Sequence, residues 1–404
     1  MPSSSPAAGT SNGVFGLLCL GSYLLSVSYG TTFLLAMMLS AHGGSESDAG
    51  TILSAAMLST FVAVIFSGHL SDLFGAPKAI AAAAVLLAAA CLGFASLQAF
   101  GVAALVYGLM LGLGWGVFYT LGPIIVAMII EPARRVKYFA LLSGSMMTGI
   151  GTGPLLGRLS EALGYPVETA FVMATAASLL GGLAFVFIGP SLKRQSAKVG
   201  SISVCRITPR AAVTVLGSKA VWAIIMVGLG GAIFGGLSSF QTSYAALKHL
   251  DYSLFFLGFM SAVITCRLLI AGVIVKRDPY WMACGLTALI VLSVLMFIFT
   301  VNSSATYVLA AVTLGVGYGL TYSVINGLAA NEAPAGQTSQ SLVLFSLGYF
   351  VGVFGFPWIA GRIIVSDGMP TLLWLILGLA VCNWSITVGR LLWRKRLAAP
   401  LNAC

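Results

Sequence analysis

One arginine stands where the chain has almost no other charge. Arg267 lies inside the apolar run 254–275. A charge within such a run costs about 2.5–3.5 kcal/mol on insertion scales, so it normally faces protein or water and marks function. Its planar fork of N–H donors matches a carboxylate, which makes an anion contact the first reading. A structural reading stands beside it, in which Arg267 bonds helix-end carbonyls or extends its stem to the membrane interface. Carboxylates are missing from the same region. Glu46, Asp48, Asp72, Glu131, Glu161, Glu168, Asp251, Asp278, Glu332 and Asp367 all fall in loops or at run ends, as do His42, His69 and His249. General acid–base catalysis within the apolar region therefore has no groups to perform it, and the chain is not read as an enzyme. A strongly cationic solute would likewise find no counter-charge there.

Tyrosine supplies the other recurring chemistry, an apolar ring with a hydrogen-bonding tip. Two tyrosines are related by a repeat. Gly112-Leu-Gly-Trp-Gly-Val-Phe-Tyr119 returns as Gly315-Val-Gly-Tyr-Gly-Leu-Thr-Tyr322, an offset of 315 − 112 = 203. Pro154 returns as Pro357 at the same offset, and Gly157-Arg158 as Gly361-Arg362 at 204. The chain has 404 residues, so the offset is half its length. Pseudo-symmetry predicts that Tyr119 and Tyr322 both point toward the axis between two similar halves. Arg267 has no such mate, since Ala63 stands 204 residues earlier.

The elements that must position these residues follow from composition. Hydrophobic residues make up 59% of the chain and charged ones 7%, far below the roughly one quarter that a soluble surface requires. Lipid is therefore the solvent over most of the surface. A spanning helix needs about 20 apolar residues. Twelve runs qualify, near 13–40, 49–70, 77–98, 101–130, 137–157, 167–189, 219–247, 254–275, 280–300, 304–330, 338–365 and 370–392. The predicted fold is all-α and integral to the membrane: twelve transmembrane helices in two pseudo-symmetric six-helix bundles, residues 1–189 and 219–404. A polar linker, 190–218, joins them, read as a cytoplasmic tether lying on anionic lipid.

Charge placement sets the expected orientation. Of the 20 Lys and Arg, Arg158, Lys248 and Arg362 fall in one class of loops. Sixteen, including Lys78, Arg134, Arg135, Lys137, Lys276, Arg277 and Arg394, fall in the other. This bias puts both termini in the cytoplasm, of a bacterial inner membrane on this reading. The net charge of +10 is thus a topology signal, and no aromatic-interleaved basic patch points to nucleic acid. The seven Cys show no metal-ligand spacing. Neither a metal nor a cofactor is called for.

Gly68-His-Leu-Ser-Asp72-Leu-Phe-Gly75-Ala-Pro-Lys78 follows the second run. It resembles the signature loop of the major facilitator superfamily, Gly-x-Leu-x-Asp-Arg-x-Gly-Arg-Lys, matching at Gly68, Leu70, Asp72 and Gly75 and departing at the Arg positions. Gly149-x-x-x-Gly153-Pro154-x-x-Gly157 resembles the Gly-Pro motif of the superfamily's antiporters, with Arg158 in place of a final Gly. Phe234 to Tyr244, Leu254-Phe-Phe and Arg267-Leu-Leu-Ile-Ala-Gly272 are similar to the seventh and eighth helices of its bacterial drug and metabolite carriers. The resemblance covers nearly the whole chain.

It implies a secondary transporter working by alternating access as a monomer, with the solute near the membrane midplane between the halves. The central helices are then the first and fourth of each half. They carry Tyr23, Tyr29, Thr32, Trp115, Tyr119, Ser238, Gln241, Tyr244, Tyr318, Tyr322 and Asn326. From these, with Arg267, the expected solute-binding set is Arg267, Tyr119, Tyr322, Trp115, Gln241, Asn326, Tyr29 and Tyr244. The expected gating set is Gly68, Asp72, Gly75, Arg134, Arg135, Gly153 and Pro154; the resemblance implies that Asp72 pairs with Arg134, Arg135 or Lys137 to latch the outward-facing state. The expected partners are the bilayer, a small neutral or anionic organic solute and, as a candidate co-substrate, the proton. Export is the expected direction. Import of a siderophore-like or other organic anion, and a transporter-derived sensor without flux, are the alternatives.

Overall fold

The computed structural model describes residues 12–130, 135–199, 208–267 and 277–398. The first half contains α1 (Asn12–Thr31), α2 (Leu35–Ala41), α3 (Glu46–Phe74), α4 (Ala76–Ala95), α5 (Val102–Ile129), α6 (Arg135–Ala162) and α7 (Glu168–Val199). After α8 (Pro209–Leu216), the second half contains α9 (Ala220–Ser239), α10 (Gln241–Leu247), α11 (Ser253–Thr265), α12 (Pro279–Phe299), α13 (Ser304–Asn331), α14 (Thr338–Phe350) and α15 (Phe356–Ala398). Among the described residues, ten helical segments are long and apolar enough to cross a membrane. The last, Thr338–Arg394, has 57 residues, too many for one crossing. It folds back at Gly368, whose φ of 85° suits glycine alone. Together with α11, an apolar helix of 13 described residues, this gives the twelve predicted crossings.

Local chemistry fixes the ends. The Ser45 backbone N–H donates to the Asp48 carboxylate at 2.8 Å where α3 begins. The Asp278 carboxylate accepts from the Tyr280 N–H at 2.9 Å ahead of α12, where Pro279 lacks a donor to leave unmet. Gly75, at φ 83°, turns α3 directly into α4, so the signature-loop glycine is a conformational requirement.

The repeated Gly-x-Gly-x-Gly runs are packing devices. Lipid offers no hydrophobic drive for helix association, so close backbone approach between small residues replaces it. A Cβ at Gly112 would lie 2.0 Å from the Ala56 carbonyl oxygen of α3, and one at Gly114 2.7 Å from that of Ala83 in α4. The second half copies this: Gly315 against the Phe259 oxygen of α11 at 2.5 Å, and Gly317 against the Leu286 oxygen of α12 at 2.9 Å. Each run thus clamps the fourth helix of its half to two neighbours. Tyr119 and Tyr322, one turn past the intervening Trp115 and Tyr318, reach across to the other half.

Between the halves, α3 and α15 meet through glycines near one end of the bundle. A Cβ at Gly50 would lie 2.2 Å from the Pro357 carbonyl oxygen, and one at Gly361 2.3 Å from that of Glu46. This end carries the basic-poor loops. Just before Pro357 the chain leaves α-geometry for a π-helical turn, Val351–Gly355, because proline supplies no N–H to continue the ladder. Its repeat mate Pro154 sits inside the uninterrupted α6.

The described parts of the linker are partly helical. Helix α7 runs to Val199, ten residues past the expected end, and α8 forms within it with Val215 buried. Lys193-Arg-Gln, Ala197 and Lys198 are good helix formers, and Pro209 at the start of α8 is compatible with its first turn.

Candidate functional site

The centre of the molecule is a belt of stacked rings running from one half to the other. Tyr29 stacks on Trp115 at 4.7 Å within the first half, and in the second half Phe234 stacks on Tyr318, the repeat mate of Trp115, at 5.0 Å. The halves touch through Phe33 and Phe256, stacked at 5.3 Å, Tyr29 and Phe354 at 5.4 Å, and Tyr119 and Phe350 at 5.1 Å. Tyr119 also lies parallel to Tyr349 at 6.3 Å. The Tyr119 and Tyr322 hydroxyls share a hydrogen bond of 2.8 Å between the halves.

Arg267 lies beside this pair. It occupies a π-helical turn at the end of α11 and is 6% exposed, the one charged residue among the buried described residues. Its Nη1 donates to the Ser143 hydroxyl of α6 in the opposite half. The guanidinium carbon stands 5.6 Å from the Tyr322 ring centroid, within cation–π range. Its Nε is buried and has no hydrogen-bond partner. Among the described residues its bond goes to a hydroxyl. The arrangement can bind an anion: it offers one unpaired charged donor, flat apolar walls and tyrosine hydroxyls.

The other expected solute-binding residues divide. Tyr29, Trp115, Tyr119 and Tyr322 belong to the belt, and Asn326 sits half-buried one turn beyond Tyr322. Gln241 and Tyr244 are placed elsewhere, in the second half's own core. The Gln241 Oε1 accepts from the Tyr307 hydroxyl at 2.7 Å, and the Tyr244 hydroxyl donates to the Phe297 carbonyl at 2.8 Å. Their polar tips are satisfied there, as burial demands.

Of the gating set, Gly68 is buried in α3, Asp72 is exposed near its end, and Gly75 makes the turn. Gly153 lets α6 touch α1, since a Cβ there would lie 2.2 Å from the Gly30 carbonyl carbon, with Pro154 following inside the helix. Arg134 lies outside the described residues, and Arg135 opens α6 with its side chain outside them.

Sequence reasoning passed over Ser143, Phe33, Tyr349, Phe350 and Phe354. The last three lie on the eleventh crossing, which the central-helix rule leaves out, and Ser143 is one serine among many in α6.

The basic-poor end is tied shut by polar contacts between the halves. Arg158 Nε donates to Asp251 at 2.7 Å, Ser243 to Glu46 at 2.8 Å, and Tyr252 to Glu161 at 3.3 Å. These residues rim a vestibule of about 630 Å³. Burial alone would raise the Asp251 carboxyl, but hydrogen bonds from Ser253 and the Arg158 guanidinium outweigh it and hold it below the usual carboxylate value. A depressed acid stabilises the closed form above its ordinary pKa and loses that contribution as pH falls through the lowered value. The tie should therefore be intact at neutral pH and weaken only below about 4. Asp251→Asn should bring the acid behaviour to neutral pH, read as faster labelling of a cysteine placed at Thr242. Unchanged labelling would show that this tie does not hold the end closed.

Comparison with known proteins gives one family model, described as Major Facilitator Superfamily, matching residues 15–357. No curated protein matches. Among solved structures, the crystal structure of the human organic anion transporter MFSD10 (TETRAN) superposes with a TM-score of 0.69 at 16% identity, covering 93% of this chain and 99% of that one. At that identity the likeness speaks for the fold.

Proposed function

The chain belongs to the major facilitator superfamily, and on that premise we propose that it carries a small organic anion with a planar apolar body. Membership makes it a multi-pass membrane transporter of a small molecule and not an enzyme. The anion assignment rests on one observation: the buried charge at the centre of the ring belt is an arginine with an unpaired Nε. A buried donor left unpaired costs about 1–3 kcal/mol, which a bound carboxylate would recover. The human organic anion transporter shares the fold; the reading for this chain stands on Arg267.

In this proposal the basic-poor end is the outer one, a reading supported by charge placement, and the form described here is then closed to the outside. The proposed direction is export, supported by the Gly149 to Gly157 pattern at the contact of α6 with α1. Proton linkage, in this proposal, runs through the solute's own carboxyl group, because the sequence places no carboxylate mid-membrane. In proteoliposomes, benzoate-like carboxylates should show saturable counterflow, while the matching amines should not. Preference for the amine would overturn the anion reading, and binding without counterflow would turn the carrier into a sensor.

Asp72 belongs to the same proposal as part of an inner latch. Asp72→Asn should slow turnover several-fold while leaving the thermal melting of the purified protein unchanged. Wild-type turnover would remove the latch.

A further inference from the structure

The position of Ser143 carries the anion reading one step further and rests on it. Arg267 belongs to the second half, and the hydroxyl that holds its Nη1 belongs to the first. Nη1 is the guanidinium nitrogen on the Cδ side. Engaging it leaves the opposite edge, formed by Nε and Nη2, as the fork available to a ligand. Nε on that edge is buried without a partner, while the Tyr322 ring lies over the guanidinium at 5.6 Å. The described surroundings of Arg267 thus fix one edge, cover a face and leave unmet a donor on the remaining edge.

We propose that Ser143 is a positioning residue for the carried anion: it aims the side-on edge of Arg267 at a carboxylate, which docks through both its oxygens. A planar two-oxygen anion fits that edge better than a halide or a single-oxygen acceptor, because the two N–H bonds run parallel. The tie crosses between the halves, so the aimed fork exists when α6 and α11 lie together, as they do here. Movement of the halves that separates them releases Nη1 and leaves Arg267 free to turn. The carboxylate site is therefore complete in one alternate and loosened in the other, a difference in affinity built from a single hydroxyl.

The test uses the full-length purified protein with benzoate and benzamide as matched probes, binding being followed by thermal shift and tryptophan fluorescence. Wild type should favour benzoate. Ser143→Ala should weaken benzoate binding about tenfold, the size expected for losing one hydrogen bond that orients a charged group, and leave benzamide binding unchanged. Ser143→Thr, which keeps the hydroxyl, should restore benzoate binding. If Ser143→Ala binds benzoate like wild type while Arg267→Met does not, Arg267 reads the anion unaided and the positioning role is wrong. If Ser143→Ala loses both probes together, or Thr fails to rescue, the serine is structural and the proposal fails. If wild type does not distinguish the probes, the anion reading itself falls, and this proposal with it.

Discussion

Gly50→Ala should leave the protein folded but impaired in closing its basic-poor end. The added methyl would sit 2.2 Å from the Pro357 carbonyl oxygen, a backbone atom that cannot rotate away as a side chain can. Relief requires α3 and α15 to part. Overpacking of this kind costs about 1–3 kcal/mol, which corresponds to a shift of roughly 5- to 150-fold in the balance of closed and open forms. Because the clash exists only when the two helices meet, the cost falls on the closed form and spares the open one. A cysteine at Thr242, in the vestibule at that end, should be labelled much faster than in the parent. Turnover should fall to a similar degree. Gly230→Ala is the control, since a Cβ there meets nothing within 4 Å. Parental labelling and turnover in Gly50→Ala would show that the glycine seam is not what seals the basic-poor end.

Arg267→Met should abolish carboxylate recognition without weakening the protein. Methionine keeps much of the apolar stem and deletes the charge. Hydrogen bonds to charged groups contribute about 1.5–3 kcal/mol, so carboxylate affinity should drop roughly 10- to 150-fold. Stability should move the other way or not at all. Replacing a buried, incompletely bonded ion with an apolar side chain is often neutral or stabilising, and here an unpaired Nε is removed with it. Measured together, thermal melting and benzoate affinity separate the two roles of a buried arginine. A variant that melts far lower, or that retains its carboxylate preference, would assign Arg267 to architecture.

The fold was largely legible because membrane helices announce themselves by length and apolarity, and because the halves share a repeat. The repeat placed Tyr119 and Tyr322 at equal positions in equal halves, where pseudo-symmetry turns both toward the axis. What the repeat could not reveal is whatever one half does alone. Gln241 and Tyr244 lie on a central helix, yet their side chains turn into the core of their own half to meet Tyr307 and the Phe297 carbonyl. Helical register at a helix start, after the break at Phe240, decides that turn, and a sequence pattern does not fix it. Tyr349 and Phe350 reach the centre from the eleventh crossing, just ahead of its π-helical turn, rather than from a first or fourth helix. Ser143 carries no sequence signal at all; only the neighbour it bonds sets it apart.

The π-helical turn Val351–Gly355 makes the two halves unequal as mechanical bodies. Its wider winding interrupts the regular ladder of the eleventh crossing close to where it presses on α3, while its repeat mate, the fifth crossing α6, stays in α-helical winding through Pro154. A body with one soft and one rigid arm does not rock evenly about its centre. Bending concentrates in the soft arm, so the second half should unlatch by flexing near Phe354 while the first moves as a block. Alternation in this protein would then be a stroke led from one side, with the ring belt between Tyr29 and Phe354 as its bearing surface.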